Sequence, residues 1–546
     1  MADYPWYKSY DAGVPETTLL DIIAETTREM PEHTFMYYKD RYFSYKEANR
    51  LFEVLAAALI ANGVKPGDRV ASMLLNTPQQ LIGAFGVMKA GGIYVPLNPL
   101  YSEDELLHTL NTVEAEVIIV WDLLYANIKK VQSRTKLRLV IATSLEDYIL
   151  PEAKKPHTMQ LEKGDVWMDE LMEKHSKDPA PSVKSKVEDT AVILFSGGTT
   201  GAPKGAMLSF RNMVAVGLQS IEWNKQGMMS QDDFTMAIMP MFHSYGFNGV
   251  VGSSLGMRSP LALVANPRDL DDVIYTIKKV RPASMPSVPT LFINLMEHPE
   301  VKAGKVDFKC LKYCISGAIP LMAETKQRWE TMTGAPILEA YGMTESTVVF
   351  TIGPMKGKWK EGAVGLPLPD VILKFVDVAD PDKDLPYGEE GEVVGKGPQV
   401  MQGYWNNPKG TAEMIKDGWL YTGDIGYMDS DGYLYLTSRK KDLIKPSGHQ
   451  VWPKEVEEVL STHPAVVEAC VGGIPDAKQV EAVKAWVILR PGEKVTEADL
   501  QNYCKDKLTA YKVPKFIEFR DALPKTMVGK ILRRVLQEEE KAKKKG

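Results

Sequence analysis

One stretch constrains this chain more than any other. Ala191-Val192-Ile193-Leu194 reads as a buried strand, and Asn212 to Ser220 can be helical. Between them runs Phe195-Ser196-Gly197-Gly198-Thr199-Thr200-Gly201-Ala202-Pro203-Lys204-Gly205. Bare backbone N–H groups, hydroxyls and a lysine together make a cradle for polyphosphate. It is not a Walker A loop, in which lysine follows glycine directly and Ser or Thr comes next. Here Pro203 precedes Lys204 and Gly205 follows it.

The surrounding pattern predicts the sheet that such a loop springs from. Ser44 to Ala61 reads as an amphipathic helix with a serine cap and a glutamate three residues on. Asp68 to Leu74 reads as a strand, Pro78 to Ala90 as a helix, and Ile93 to Pro96, Glu116 to Val120 and Leu137 to Ala142 as further strands. Strand–helix alternation at this spacing predicts βαβ units and largely parallel sheets. Lys154 to Lys186 reads as a loop-rich insertion. From about Gly365, short strands between frequent glycines predict a small, antiparallel, barrel-like β subdomain. After Arg439-Lys440-Lys441-Asp442 a helix, strands and a second helix predict a compact α+β tail. The expected architecture is α/β. Residues 1–437 form an N-terminal body of two α/β subdomains and the β subdomain, and residues 438–546 form a mobile C-terminal lid.

Composition excludes several classes. With 44% hydrophobic and 25% charged residues, the chain is not disordered. Its 65 Lys+Arg against 71 Asp+Glu, a net charge of −6, lack the basic excess of a nucleic-acid binder. Cys310, Cys314, Cys470 and Cys504 form no CxxC pair and read as reduced thiols. No run approaches the ~18 apolar residues of a spanning helix, and the N-terminus lacks a signal-peptide pattern. The expectation is a cytoplasmic protein; transient contact with a membrane surface and self-association both stay open.

Ser196 to Gly205 resembles the phosphate loop of the adenylate-forming superfamily, which holds acyl-CoA synthetases, peptide-synthetase adenylation domains and beetle luciferases. Further motifs follow in the family's order. They are Lys89 to Leu97, Pro240-Met241-Phe242-His243, Ser316-Gly317-Ala318, Tyr341-Gly342-Met343-Thr344-Glu345, Tyr421-Thr422-Gly423-Asp424, Arg439 through Pro453, and Pro524 through Lys530. The resemblance implies an AMP-forming acid–thiol ligase. A carboxylic acid would attack ATP to give acyl-AMP and pyrophosphate, and CoA would then take the acyl group. It implies Mg²⁺ on Glu345 near Thr200, with Thr344 on the α-phosphate. Thr200 and Lys204 would serve the β- and γ-phosphates, within a loop of Ser196, Gly197, Gly198, Thr199 and Gly201. Tyr341, with Gly342, would stack on adenine beside Ser316, Gly317 and Ala318, while Asp424 and Arg439 would hold the ribose. His243 would lie beside the acyl carboxylate, and Lys530 would bridge carboxylate and α-phosphate. Lys441 would be a hinge, and the segment with Lys445 and Gly448 would face CoA in a second state.

Asn266-Pro267-Arg268-Asp269 and Tyr511-Lys512-Val513-Pro514-Lys515 look closest to bacterial fatty-acid CoA ligases of medium to long chain. Tyr245, Gly246, Phe247, Gly249, Val250 and Val348 are the expected acyl pocket wall, with Gly246 and Gly249 leaving room for a tail or ring. An aromatic or alicyclic acid stays open. So does a reading from another class: Gly252-Ser253-Ser254-Leu255-Gly256 matches the G-x-S-x-G of serine esterases, with Ser254 as nucleophile.

Overall fold

The computed structural model describes residues 13–196, 203–225, 229–449, 451–476, 479–526 and 529–543. They fall into two compact units. The first runs to Glu361 and takes in Gly365–Ile372 and Lys396–Leu420. The second comprises Gly362–Val364, Leu373–Gly395 and the chain from Tyr421 onward.

The first unit holds two large sheets. One has eight strands in the order Gly403–Tyr404, Lys204–Ser209, Thr190–Ser196, Ile93–Pro96, Arg69–Met73, Val117–Trp121, Leu139–Thr143 and Val166–Trp167. From Thr190–Ser196 to Val166–Trp167 neighbouring strands pair parallel. Such strands are covered on both faces and read as continuous apolar runs, as the fully buried Leu139–Thr143 shows. The helix Tyr45–Ala61 starts where the Ser44 hydroxyl accepts the Glu47 N–H at 3.2 Å. It packs on the helix Pro78–Lys89, where a Cβ at Gly86 would lie 2.8 Å from Leu55 Cδ2. The helix expected over Asn212–Ser220 lies within Phe210–Asn224, and a strand precedes it. Lys204–Ser209 is a strand pairing antiparallel with Thr190–Ser196, Ser196 opposite Lys204, and the helix Phe210–Asn224 begins only after it. The strands on either side of the loop therefore pair as a hairpin. Ala206 and Leu208 carry the strand into the core.

The second sheet has nine strands. Ser284–Ser287, Tyr313–Ser316 and Ile337–Tyr341 are parallel neighbours within it. Their carboxyl ends deliver Ser316 and Tyr341, the edge at which open α/β sheets bind ligands. The insertion at Lys154–Lys186 is more ordered than expected. Val166–Trp167 extends the eight-stranded sheet, and the helix Met168–Lys174 buries Met168, Leu171 and Met172. Two helical turns carry too little periodicity to stand out in a sequence.

In the second unit Phe375 and Val376 pair antiparallel with Leu385 and Asp384, and Asp424–Met428 with Leu434–Arg439. The 437/438 boundary expected from sequence falls inside this last strand. A three-stranded sheet follows, Val466–Asp476, Val480–Leu489 and Phe516–Phe519, with the helices Pro453–Ser461 and Glu497–Lys505. Val456, Leu460, Val471, Val483, Val487 and Leu500 form its core. Among the described residues no helix is long and apolar enough to cross a membrane.

Candidate active site

In the first unit, the motif after Tyr341 is fixed by backbone packing. A Cβ on Gly342 would lie 2.1 Å from Val348 O and 2.4 Å from Val349 Cα, so only glycine fits. Thr344–Ser346 forms one 3₁₀ turn, with Thr344 and Glu345 both buried. Thr347 closes it at a positive φ of 61°, which is strained for a β-branched residue. It is held from both ends: its hydroxyl donates to Gln399 O at 2.6 Å, and its carbonyl accepts from Asn248 Nδ2 at 2.9 Å. Glu345 is anchored too. Its carbonyl accepts from Met401 N–H at 2.9 Å, and its Oε1 accepts from the Tyr404 hydroxyl at 2.6 Å. Lys204 Nζ lies over the Tyr404 ring, 5.0 Å from the centroid. Burial and the Glu345 carboxylate push the Tyr404 phenol well above its ordinary pKa, so it stays a donor.

No pattern in the sequence marks Tyr404. It lies on a two-residue edge strand, too short for any periodicity. Of the phosphate loop, Ser196 and Lys204 are described and face each other across the hairpin. Gly197, Gly198, Thr199, Thr200 and Gly201 lie outside the described residues. The donors at Glu345 and Thr344, carboxylate and hydroxyl oxygens on a rigid turn, suit a hard cation such as Mg²⁺.

Ser316, Gly317 and Ala318 leave the neighbouring strand with Ala318 at φ 70°. Of the expected acyl pocket wall, Tyr245, Gly246, Phe247, Gly249 and Val250 share one π-helix, Tyr245–Gly252, a rare geometry frequent at functional sites. Tyr245 donates to Ile315 O at 3.1 Å and to Ser287 O at 3.2 Å. The Phe247 ring lies 5.8 Å from that of Tyr94, and Val250 is buried. A Cβ on Gly249 would sit 3.1 Å from both Tyr245 Cδ2 and Val348 Cγ2, so these three residues do converge. Gly246 has another reason to be glycine. A Cβ there would meet Pro240 O at 2.2 Å and Met239 O at 2.4 Å, which is backbone packing rather than room for an acid. His243 Nδ1 accepts the Tyr245 N–H at 3.2 Å, which leaves the proton of the neutral ring on Nε2. Ser244 Oγ lies 3.5 Å from Thr344 Oγ1, so this segment adjoins the Thr344 turn.

Ser254 is not on a nucleophile elbow. It lies in the helix Ser253–Met257, directly after the π-helix, with its hydroxyl buried and unpartnered among the described residues. Gly256 completes the G-x-S-x-G match for a packing reason: a Cβ there would lie 2.8 Å from Gly217 Cα. Ser254→Ala should keep ligase turnover within about twofold and stability within about 0.5 kcal/mol, since no hydrogen bond is lost. Turnover and urea melts check both, and a large loss of turnover would revive a catalytic role.

In the second unit, Asp424 and Arg439 face each other across an antiparallel pair, with Arg439 Nε 2.7 Å from Asp424 Oδ1. Lys530 follows a tight turn, with Gly529 at φ 79° and the Thr526 N–H donating to Lys530 O at 2.9 Å. Burial, then the Arg439 and Lys441 cations, bring the Lys530 ammonium down to a pKa of about 7 against the pull of Asp424 and Asp442. Arg533 pairs with Glu457 at 2.8 Å and with Asp442, tying the chain just past Lys530 to the residue after Lys441. Lys445 is exposed, its N–H donating to Glu481 Oε2 at 2.8 Å, and Gly448 ends the turn Pro446–Gly448.

The AMP-binding enzyme profile matches residues 23–405, and the AMP-binding enzyme C-terminal domain profile matches residues 455–530. A long-chain-fatty-acid–CoA ligase of Bacillus subtilis (strain 168) is 37% identical, over 99% of this chain and 98% of its own length. One of Escherichia coli O6:H1 is 34% identical over 98% of each. An anthranilate CoA ligase, AuaEII, solved with anthranoyl-AMP, superposes with a TM-score of 0.85 at 26% identity, over 99% of this chain and 100% of its own. The fold and the motif turns thus define an adenylate-forming enzyme. Within that class the chain belongs to the AMP-binding enzyme family, as an AMP-forming acid–thiol ligase that uses ATP and CoA.

Proposed function

We propose that the enzyme acts in the cytoplasm on a fatty acid of medium to long chain. A carboxylate oxygen attacks the α-phosphorus of ATP, the bond to pyrophosphate breaks, and acyl-AMP forms. The CoA sulfur then attacks the acyl carbon and AMP leaves. The observation that carries the choice of acid is the near full-length identity to long-chain-fatty-acid–CoA ligases.

In this reading Lys204 and the hairpin loop, including Thr200, take the β- and γ-phosphates. Thr344 donates to the α-phosphate, and Glu345 would hold magnesium. Magnesium bound there would neutralise charge developing on the phosphates. Tyr341 stacks on adenine, and Asp424 accepts from the ribose hydroxyls beside Arg439. His243, with its proton on Nε2, donates toward the acyl carboxylate. Lys530 offsets charge as the two anions meet. Lys441 is the hinge about which the C-terminal segment turns before thioester formation, bringing Lys445 and Gly448 to CoA.

A second reading, an aromatic acid, is favoured by the likeness to the anthranilate ligase. CoA-dependent AMP formation with palmitate, octanoate, benzoate and acetate separates the two. The fatty-acid reading expects kcat/KM for palmitate or octanoate about 100-fold above benzoate and acetate, since each buried methylene adds up to ~0.8 kcal/mol. Benzoate as the best substrate would contradict it and favour the aromatic reading.

A further inference from the structure

Tyr404 touches two residues that the proposed chemistry needs charged. Its hydroxyl donates to Glu345 Oε1 at 2.6 Å, and its ring carries the Lys204 ammonium on its face at 5.0 Å. Its own position is rigid. Tyr404 pairs with Ala206 across the sheet, two residues from Lys204 on the same strand, and its N–H donates to Thr411 Oγ1 at 2.8 Å. The phenol meets the ammonium with its ring face and the carboxylate with its hydroxyl. The carboxylate receives a neutral donor, which fixes its plane and leaves Oε2 for another partner. The ammonium rests on a neutral π face and keeps its N–H donors for phosphate.

We propose that Tyr404 is a positioning residue for magnesium-ATP: its hydroxyl orients the Glu345 carboxylate for the metal, and its ring parks the Lys204 ammonium for the phosphates. This rests on the reading of Glu345 as the magnesium residue. A group that orients a metal ligand is typically worth ten- to a hundredfold in metal affinity.

The test is ATP affinity by calorimetry on the full chain, without acid or CoA, in Mg²⁺ and in EDTA. In the wild type Mg²⁺ should tighten ATP binding. Tyr404→Phe should cut that tightening about tenfold while changing the EDTA affinity less than about twofold, because the ring remains. Tyr404→Leu should also weaken binding in EDTA, by roughly three- to tenfold, because the ring is lost. In a Glu345→Gln background Tyr404→Phe should add nothing further. Undiminished tightening in Tyr404→Phe, equal losses with and without Mg²⁺, or a full further loss in the Glu345→Gln background would each overturn the proposal. A wild type whose ATP affinity ignores Mg²⁺ would instead contradict the magnesium reading of Glu345 itself.

Discussion

Lys530→Ala should slow acyl-adenylate formation by about 10²- to 10³-fold, the usual cost of removing one preorganised group from a developing anion. Thioester formation from pre-made acyl-adenylate should fall less than about threefold, because no second anion then approaches the α-phosphate. Pre-steady-state quench of the two half-reactions measures both, and equal losses would contradict the role. The environment of Lys530 adds a pH signature. Burial and the nearby Arg439 and Lys441 hold the ammonium at a pKa of about 7. Only the protonated form can bridge two anions. Since kcat/KM reports the free enzyme, kcat/KM for ATP in the adenylation step should fall as pH rises through about 7. Lys530→Arg keeps its charge at any such pH and should move that limb upward, whatever it costs in absolute rate. A profile unchanged by Lys530→Arg would show that another group sets it.

The second large effect comes from a residue with no chemistry. Gly342→Ala puts a methyl group into Val348 O and Val349 Cα, both backbone atoms that cannot rotate away. Overpacking against backbone costs about 3 kcal/mol, and the strain falls on the turn that carries Thr344 and Glu345. The variant should lose that much stability in urea melts and bind ATP at least about 10-fold more weakly. Wild-type stability would mean that the turn has slack which these contacts deny.

Much of this was legible in the sequence, and for physical reasons. Strands buried on both faces advertise themselves as apolar runs, so Val117–Trp121 and Leu139–Thr143 lie within two residues of their expected places. The Ser44 cap marked its helix to the residue. Gly342, in the turn after Tyr341, is fixed by its near neighbours Val348 and Val349, while Gln399, Met401 and Tyr404 anchor that turn from far along the chain. What stayed hidden depends on distance in the chain. Tyr404 meets Glu345 across 59 positions of sequence, and nothing local to either residue signals the other. The reason for Gly246 was hidden likewise: it is a glycine because the backbone of Met239 and Pro240 runs over it, whereas its neighbours suggest an open pocket. The strand Lys204–Ser209 was masked by the glycine-rich loop before it, whose composition reads as irregular well past Lys204.

This chain makes an acyl-adenylate before CoA enters the reaction. Carboxylate-dependent exchange of labelled pyrophosphate into ATP, run without CoA, tests it most directly. Exchange that appears on adding palmitate or octanoate and needs no thiol is the expected result. An enzyme that binds ATP yet supports no exchange with acetate, octanoate, palmitate or benzoate would contradict the account.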